Sequence, residues 1–291
     1  MQIGEAWEKF RCQLEADGRS PHTVAQYRRH VRVLARWLAQ GRKRSARLEA
    51  MTHETLARFL GDPAARERCD GRPKRPTSVN ALRTSLRAFA RYLHRAGYLA
   101  EDPGRLIRRA ACSSPPPRGL TSEEEARLLA SLSQNQSRRG RRDHALFHFL
   151  VRSGVRVGAA VGVRVEDLDL ERRTAEILTK GARRERVLLS TDLAEHLRAY
   201  LGARNAGPVF LGQSEKALTR RHVLRILKAR LKAAGIERSV SVHGLRHTFA
   251  LRLYERTGDV LLVKEALHHR SVSSTMVYAR ASEGQLRRAI G

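Results

Sequence analysis

Acidic residues are scarce in this chain. Asp and Glu total 29 against 57 Lys and Arg, a formal net charge of +28 over 291 residues. An excess of that size creates self-repulsion that a polyanionic partner relieves. Cysteine is scarcer still. Cys12, Cys69 and Cys112 lie far apart with no CxxC spacing, which argues against a disulfide framework or a zinc knuckle and fits a reducing cytoplasm. Long apolar runs are missing: none approaches the roughly 18 residues that span a bilayer, so no membrane partner is expected. The opening MQIGEAWEKF is acidic and aromatic, unlike a signal peptide. What the chain does have is 41% hydrophobic residues, enough for packed cores, which excludes a wholly disordered basic tail. The expected class is a soluble cytoplasmic protein that meets nucleic acid.

The length favours one large domain or two ordinary ones. The first half reads as a helical bundle. Ser20-Pro21 is a helix start, since Ser caps free amides and Pro is preset for the first turn. Val24, Tyr27, Val31, Leu34 and Leu38 then recur at helical steps, with Arg28, Arg29, Arg32 and Arg36 on the other faces. A shorter helix follows Thr52 and carries Leu56, Phe59 and Leu60. Another begins near Thr77-Ser78, buries Val79, Leu82, Leu86, Phe89 and Leu93, and stops near Gly97. Between these two, DPAARERCDGRPKRP reads as a loop. CSSPPPRG then breaks the pattern, because consecutive prolines cannot continue a helix and favour an extended linker. The expected domains are residues 1–111, a linker at 112–119, and residues 120–291.

The second body opens with capping-box spacing at Thr121/Glu124 or Ser122/Glu125. An apolar helix over His144–Val151 ends at Ser153-Gly154. Thr174–Leu178 and Arg186–Leu189 read as a hairpin with a basic tip, TKGARRE. Helices are expected over Leu193–Leu201, His222–Ala234, Leu245–Thr257 and Val260–Leu267, with a last short helix holding Tyr278 and capped by Ser273-Ser274. The fold class is therefore mainly α with a small antiparallel β element.

Several groups suit one reaction if the fold gathers them: Arg156, Lys180, His243 and Arg246 in HGLRHTFA, His269 in LHHRS, and Tyr278 in STMVYAR. Guanidiniums fork onto phosphodiester oxygens and keep their charge. A phenol is a weak nucleophile near neutrality, with a pKa of about 10; a cationic pocket favours phenolate, and a nearby imidazole can take the proton. A lysine on a hairpin tip can protonate a departing alkoxide. The arginines supply the electrostatic stabilisation that a metal supplies elsewhere, so neither metal nor cofactor is expected.

The duller readings are also specific. A lone Arg156 or Arg246 in so basic a chain is ordinarily a phosphate-positioning cation. Lys180 alone reads as a surface charge, and Tyr278 alone as core packing. His243 and His247 have metal-like spacing, but a zinc protease needs Glu where Gly244 stands; His247 reads as structural or as a secondary phosphate contact. The adjacent His268 and His269 cannot both face one side of a helix. His144 and His148 read as core-edge residues.

Taken together, SGVRV around Arg156, TKGARRERVLL around Lys180, HGLRHTFA and LHHRSVSSTMVY resemble the tyrosine recombinase (phage integrase) family. SPHTVAQYRRHVRVLARWL and LTSEEEARLL look like the openings of its core-binding and catalytic domains. The resemblance covers nearly the whole chain and implies a two-domain clamp: a helical, SAM-like core-binding bundle and a tyrosine-recombinase catalytic domain. It implies site-specific DNA strand exchange through a 3′-phosphotyrosine, independent of ATP and metal. Tyr278 would be the nucleophile, Arg156 and Arg246 the phosphate clamps, His243 and His269 the proton-transfer and hydrogen-bonding groups, and Lys180 the general acid. Arg28, Arg29, Arg32, Arg36, Arg183 and Arg184 are the candidate DNA contacts. The implied partners are double-stranded target sites and further copies of the chain, four on DNA; whether a second recombinase or accessory protein joins them is left open by the sequence. The layout is Xer-like, without an arm-binding domain, and implies a nucleoid-associated enzyme. A tail with Leu286 and Ile290 as anchors would dock on a neighbouring subunit.

One departure concerns the acidic residue that relatives carry three positions after the first arginine. Here Ala159 stands in that place, with Asp167 and Glu166 the nearest substitutes; His268 replaces a usual glycine. Two rival functions are a catalytically silent DNA-binding or architectural protein on the same scaffold, and a type IB topoisomerase.

Overall fold

The computed structural model describes residues 1–39, 46–112, 119–179, 183–212, 216–269 and 271–279. The chain divides into two units, Met1–Ser114 and Pro115–Gly291. Among the described residues no helix is long and apolar enough to cross a membrane.

The first unit contains α1 (Ile3–Ala16), α2 (Pro21–Ala39), α3 (His53–Gly61), α4 (Pro63–Arg66) and α5 (Pro76–Arg95). Helix α1 is built from the acidic, aromatic opening segment. Its Ile3, Trp7, Phe10 and Leu14 recur in steps of four, three and four, and all are buried. Helix α2 starts where Ser20 Oγ accepts from the Thr23 amide at 3.3 Å. Its Val31 and Leu34 are buried, while Val24, Tyr27 and Leu38 pack at the edge of the same core. Thr52 caps α3 in the same way, accepting from the Thr55 amide at 3.2 Å. Phe10 joins the helices, with its ring centroid 6.0 Å from Tyr27, 5.4 Å from Phe89 and 5.0 Å from Tyr92.

The segment expected to be a loop carries α4. Pro63 occupies its first turn and Asp62 Oδ1 accepts from the Ala64 amide at 2.8 Å, a start signal that the surrounding charge and proline concealed. Lys74 then donates to the carbonyls of Ala64 and Ala65 at 2.9 and 3.0 Å, satisfying the end of this short helix.

The second unit contains α6 (Ser122–Ser133), α7 (Arg138–Ser153), α8 (Val157–Ala160), β1 (Leu168–Asp169), β2 (Thr174–Thr179), β3 (Arg183–Leu188), α9 (Thr191–Leu201), α10 (Arg220–Ala233), α11 (Val242–Thr257), α12 (Val260–Ala266) and α13 (Met276–Ala279). Of the two capping boxes the sequence offers, the chain uses Thr121 with Glu124: the Thr121 Oγ1 accepts from the Glu124 amide, and Glu124 accepts from the Thr121 amide. The strands form an antiparallel sheet in the order β1-β2-β3. The hairpin is longer than expected. Arg183, Arg184 and Glu185 belong to β3 rather than to a loop, and they pair with Thr179, Leu178 and Ile177. Period-2 alternation places Glu185 on the face that buries Ala175, Ile177 and Val187.

Buried charge fixes the helices that bear the chemistry. Glu125, buried on α6, receives Arg252 of α11 at 2.5 Å and Arg152 of α7 at 3.2 Å. Arg252 also donates to the Val151 carbonyl at 3.1 Å. Thr248 Oγ1 accepts from the Leu120 amide at 2.7 Å. Three helices are thus locked by interactions that would cost heavily if half-made.

Candidate active site

Helix α7 ends at Gly154, whose φ of 65° is left-handed. A Cβ there would meet Phe249 Cδ1 at 2.3 Å, so both the turn and the close approach require glycine. Two residues on, Arg156 caps the start of α8 with an exposed side chain. Helix α11 begins earlier than the apolar spacing suggested: Ser241 Oγ accepts from the Gly244 amide at 3.0 Å, which starts the helix at Val242. His243, Arg246 and His247 therefore all ride on its first two turns.

Arg246 is 3% exposed. It donates to the Gly154 carbonyl at 2.8 Å and to the Leu267 carbonyl at 2.5 Å, joining α7, α11 and α12. Its Nε is buried without a partner, a donor poised for an anion. Burial holds the guanidinium down to about 10 and Arg156 adds to that push, while Tyr278 and Glu185 act in the opposite direction. It stays charged at neutral pH.

Tyr278 lies on α13, 2% exposed, in an apolar cluster with Ala250, Val263 and Leu267. Its hydroxyl bonds to His247 Nδ1 at 2.8 Å. The expected lowering of the phenol by a cationic pocket is not what the free protein has. Burial raises the phenol, and the opposing charges of Arg246 and Arg156 are the smaller effect. The same two charges act on His243 and His269, so Arg156, Arg246, His243, His269 and Tyr278 share one electrostatic neighbourhood.

The histidines are held in their neutral form. Desolvation, then neighbouring positive charge, keeps His269 at about 4 and lowers His243. His269 Nδ1 bonds to the buried Thr275 Oγ1 at 2.9 Å. His247 was read from the sequence as structural or as a secondary phosphate contact, yet it touches the phenol directly. It stacks edge-on with His243 at 4.6 Å, and burial depresses it to about 4. The signal for this role was the four-residue step from His243, which the sequence reading weighed only as a metal motif.

Asp167 and Glu166 do not take the place of the carboxylate absent at Ala159. Asp167 accepts from the Arg164 amide at 2.9 Å; Glu166 is engaged by the Arg164 guanidinium at 3.0 Å and the Gly207 amide at 3.2 Å. The carboxylate whose charge acts on Arg246 is Glu185 of β3. Its Oε2 is buried and lies 3.6 Å from His268 Nδ1. His268 adopts a φ of 50°, a left-handed turn that glycine takes more readily. Ser273 and Ser274 lie inside a 3-10 turn, Val272–Ser274, rather than capping α13; Ser271 caps that turn.

Lys180, at the hairpin tip, lies outside the described residues, as do Leu286 and Ile290. Arg28, Arg29, Arg32 and Arg36 are exposed on α2. Arg183 is exposed as well, whereas Arg184 is paired with Glu176 at 2.9 Å across the sheet.

The model of the Phage integrase family matches residues 118–285, and that of the phage integrase N-terminal SAM-like domain matches residues 8–97. The chain is 30% identical over 282 residues to the tyrosine recombinase XerC of Pelobacter propionicus, covering 95% of this chain and 91% of that one. It is 32% identical over 221 residues to the tyrosine recombinase XerD of Lacticaseibacillus casei, covering 73% and 75%. Among solved structures, the XerH site-specific recombinase bound to a palindromic difH substrate superimposes with a TM-score of 0.76 at 21% identity, covering 96% of this chain and 84% of that chain. A lambda integrase dimer bound to a core site gives 0.72 at 18% identity, covering 96% and 77%.

Proposed function

The chain belongs to the phage integrase family of tyrosine recombinases, and from that premise we propose how its own residues carry out site-specific DNA recombination through a covalent intermediate. The observation that carries the assignment is the buried Tyr278 hydroxyl, bonded to His247 Nδ1 and lying in the field of Arg246 and Arg156.

A scissile phosphate entering beside Arg246 takes up the unpartnered Nε and the exposed Arg156 guanidinium. Their charge stabilises the phosphorane as negative charge accumulates on its equatorial oxygens. The Tyr278 oxygen attacks phosphorus while its proton passes to His247 Nδ1, which is unprotonated at neutral pH. One P–O bond forms to the phenol and one breaks to the 5′-oxygen, which takes a proton from Lys180. His243 and His269 hydrogen-bond the phosphate. The phosphotyrosine conserves the phosphodiester energy, so a partner 5′-hydroxyl reseals the strand by the reverse steps without ATP. Binding energy comes from both units, with the α2 arginines and Arg183 facing backbone phosphates. Four copies assemble on paired target sites in the nucleoid.

A nicked suicide substrate tests this reading. The wild-type chain leaves a covalent protein–DNA adduct in magnesium-free buffer, Tyr278→Phe leaves none, and His247→Gln slows its formation by about 10²-fold or more, as for loss of a general base. DNA retardation without any adduct from the wild-type chain would instead identify a silent DNA-binding protein. Relaxation of supercoils by the monomer, without sequence preference, would identify a topoisomerase.

A further inference from the structure

Three histidines converge on the second unit away from the reacting groups. Helix α7 sets His144 and His148 one turn apart, and α9 sets Asp192 and His196 one turn apart on the facing side. The rings of His144 and His148 meet that of His196 edge-on, at 4.3 and 4.7 Å between centroids. One ring nitrogen from each histidine lies within 4.8 Å of the other two. The sequence spacing shows only the pair on α7, at the edge of the core; the third histidine comes from α9.

We propose that His144, His148 and His196 form a binding site for a divalent transition metal of the zinc type, which clips α7 to α9. Packing alone does not explain the cluster. His148 is 6% exposed and its Nδ1 has no hydrogen-bond partner; the buried Nε2 of His196 has none either. Buried ring nitrogens without partners are costly unless something fills their lone pairs.

The opposite edge of His148 supplies an independent observation. Its Nε2 lies 2.9 Å from Asp192 Oδ2. A proton on Nε2 donates to that carboxylate and leaves the lone pair on Nδ1, the carboxylate–histidine–metal arrangement that fixes a ligand's tautomer and raises its basicity. Desolvation and mutual repulsion keep His144 at about 4, and desolvation lowers His148 and His196. Arg152 Nε also points its proton at His148 Nε2, at 3.4 Å, but the shorter 2.9 Å approach of Asp192 to that nitrogen sets the tautomer; Arg152 lies 3.9 Å from Asp192 and pairs with Glu125 at 3.2 Å, so its charge is partly neutralised.

Zinc–nitrogen bonds of about 2.0–2.1 Å place tetrahedral ligand atoms roughly 3.3 Å apart. Ring rotation of the half-exposed His144 and His196 closes that gap, and a water or Asp192 completes the shell. Imidazole selects zinc, cobalt, nickel or copper over magnesium and calcium, which demand oxygen. The ion has no part in strand cleavage. Its effect is to hold α7, whose end supplies the Gly154 carbonyl that fixes Arg246.

The test uses untagged full-length protein stripped with chelator. Zinc at a hundredfold excess over its Kd raises the melting temperature of the second unit by about 5–10 °C, while magnesium and calcium leave it unchanged. Cobalt gives the visible bands of a tetrahedral site. His144→Gln and His196→Gln, both at half-exposed positions, abolish the shift and the bands. The proposal is overturned if zinc at millimolar concentration produces no shift. Equal shifts in both variants, or a thiolate-to-cobalt charge-transfer band, would locate binding elsewhere and overturn it as well. The wild-type cobalt spectrum decides the matter even if one variant fails to fold.

Discussion

The two units handle polarity in opposite ways. In the first, the described buried polar residues are Asn80 and Ser85, and both are neutral. Asn80 is satisfied by the amide and carbonyl of Ala110, each at 2.9 Å, and Ser85 by the Ala81 carbonyl at 3.0 Å. The core is apolar, with Trp7, Phe10, Phe59 and Phe89 among its aliphatic residues, and the cations of α2 stay in solvent. The second unit buries Glu125, Arg142, Asp143, His148 and Arg246. Holding charges away from water is expensive unless each finds a partner, and here nearly every one does. The exceptions in this unit, Arg246 Nε and the free edges of His148, His196 and Glu185, fall at the reacting cluster or at the candidate metal site, whereas the one described buried polar atom without a partner in the first unit is the indole Nε1 of Trp7. A unit that only has to bind can be built from apolar packing with charge displayed outside. A unit that must do chemistry carries charge inside, and its unsatisfied atoms mark where ligands go.

The contrast can be broken most forcefully through the aromatic core. Phe89→Ala should destabilise the first unit by about 3–5 kcal/mol. Both tryptophans, Trp7 and Trp37, lie in that unit, so the tryptophan fluorescence melt should fall while the remaining far-UV circular dichroism transition stays in place. A concerted fall of both signals would mean that the units do not melt separately. Next in size, Arg246→Lys should retain a charge but lose the fork onto Gly154 and Leu267. Adduct formation should drop about 10²–10³-fold with the fluorescence melt unchanged; near-normal cleavage would remove Arg246 from the phosphate clamp.

Acid should separate the units more gently. In the second unit His144, His247 and His269 sit at about 4, and His148, His196, His222 and His243 are also lowered. The first has His30 alone at about 4 among its described histidines. An unfolded histidine titrates near 6.5, so between about 6.5 and 4 the unfolded chain binds more protons than the folded one. Stability is therefore full above pH 6.5 and is lost as pH falls toward 4. Lowering pH from 7 to 5 should shift the circular dichroism melt further than the tryptophan melt, and the reverse order would contradict the histidine environments described here. The smallest effect on stability belongs to the α2 exterior. Replacing Arg28, Arg29, Arg32 and Arg36 by Ala should leave melting within about 0.5 kcal/mol. It should flatten the dependence of log K on log salt by about 0.9 for each phosphate contact removed. An unchanged slope would take α2 off the DNA.

Legibility followed the same division. The helices of the first unit could be read wherever apolar spacing and a cap coincided, as at Ser20 and Thr52. Helix α1 carries an equally regular stripe and was legible on the same grounds. Helix α4 was not, since four residues show no period. In the second unit the motif residues stood out, but their partners did not. His247 touching Tyr278, and the charge of Glu185 acting on Arg246 where Asp167 and Glu166 are engaged elsewhere, depend on contacts between segments far apart in the chain.

By itself the sequence determined the chemistry available to this protein: a surplus of fixed cations, a phenol, a set of imidazoles, and helix periods that commit the chain to α-helical packing. Residue type and local spacing suffice for that, because pKa, charge and helical phase are properties of single side chains and short segments. Tertiary structure alone decided which groups meet. It buried the phenol and so raised it, set His247 Nδ1 against its hydroxyl, left Arg246 Nε without a partner, and brought His196 across to two histidines on another helix. Desolvation and distance set these outcomes, and both arise only when remote parts of the chain pack together.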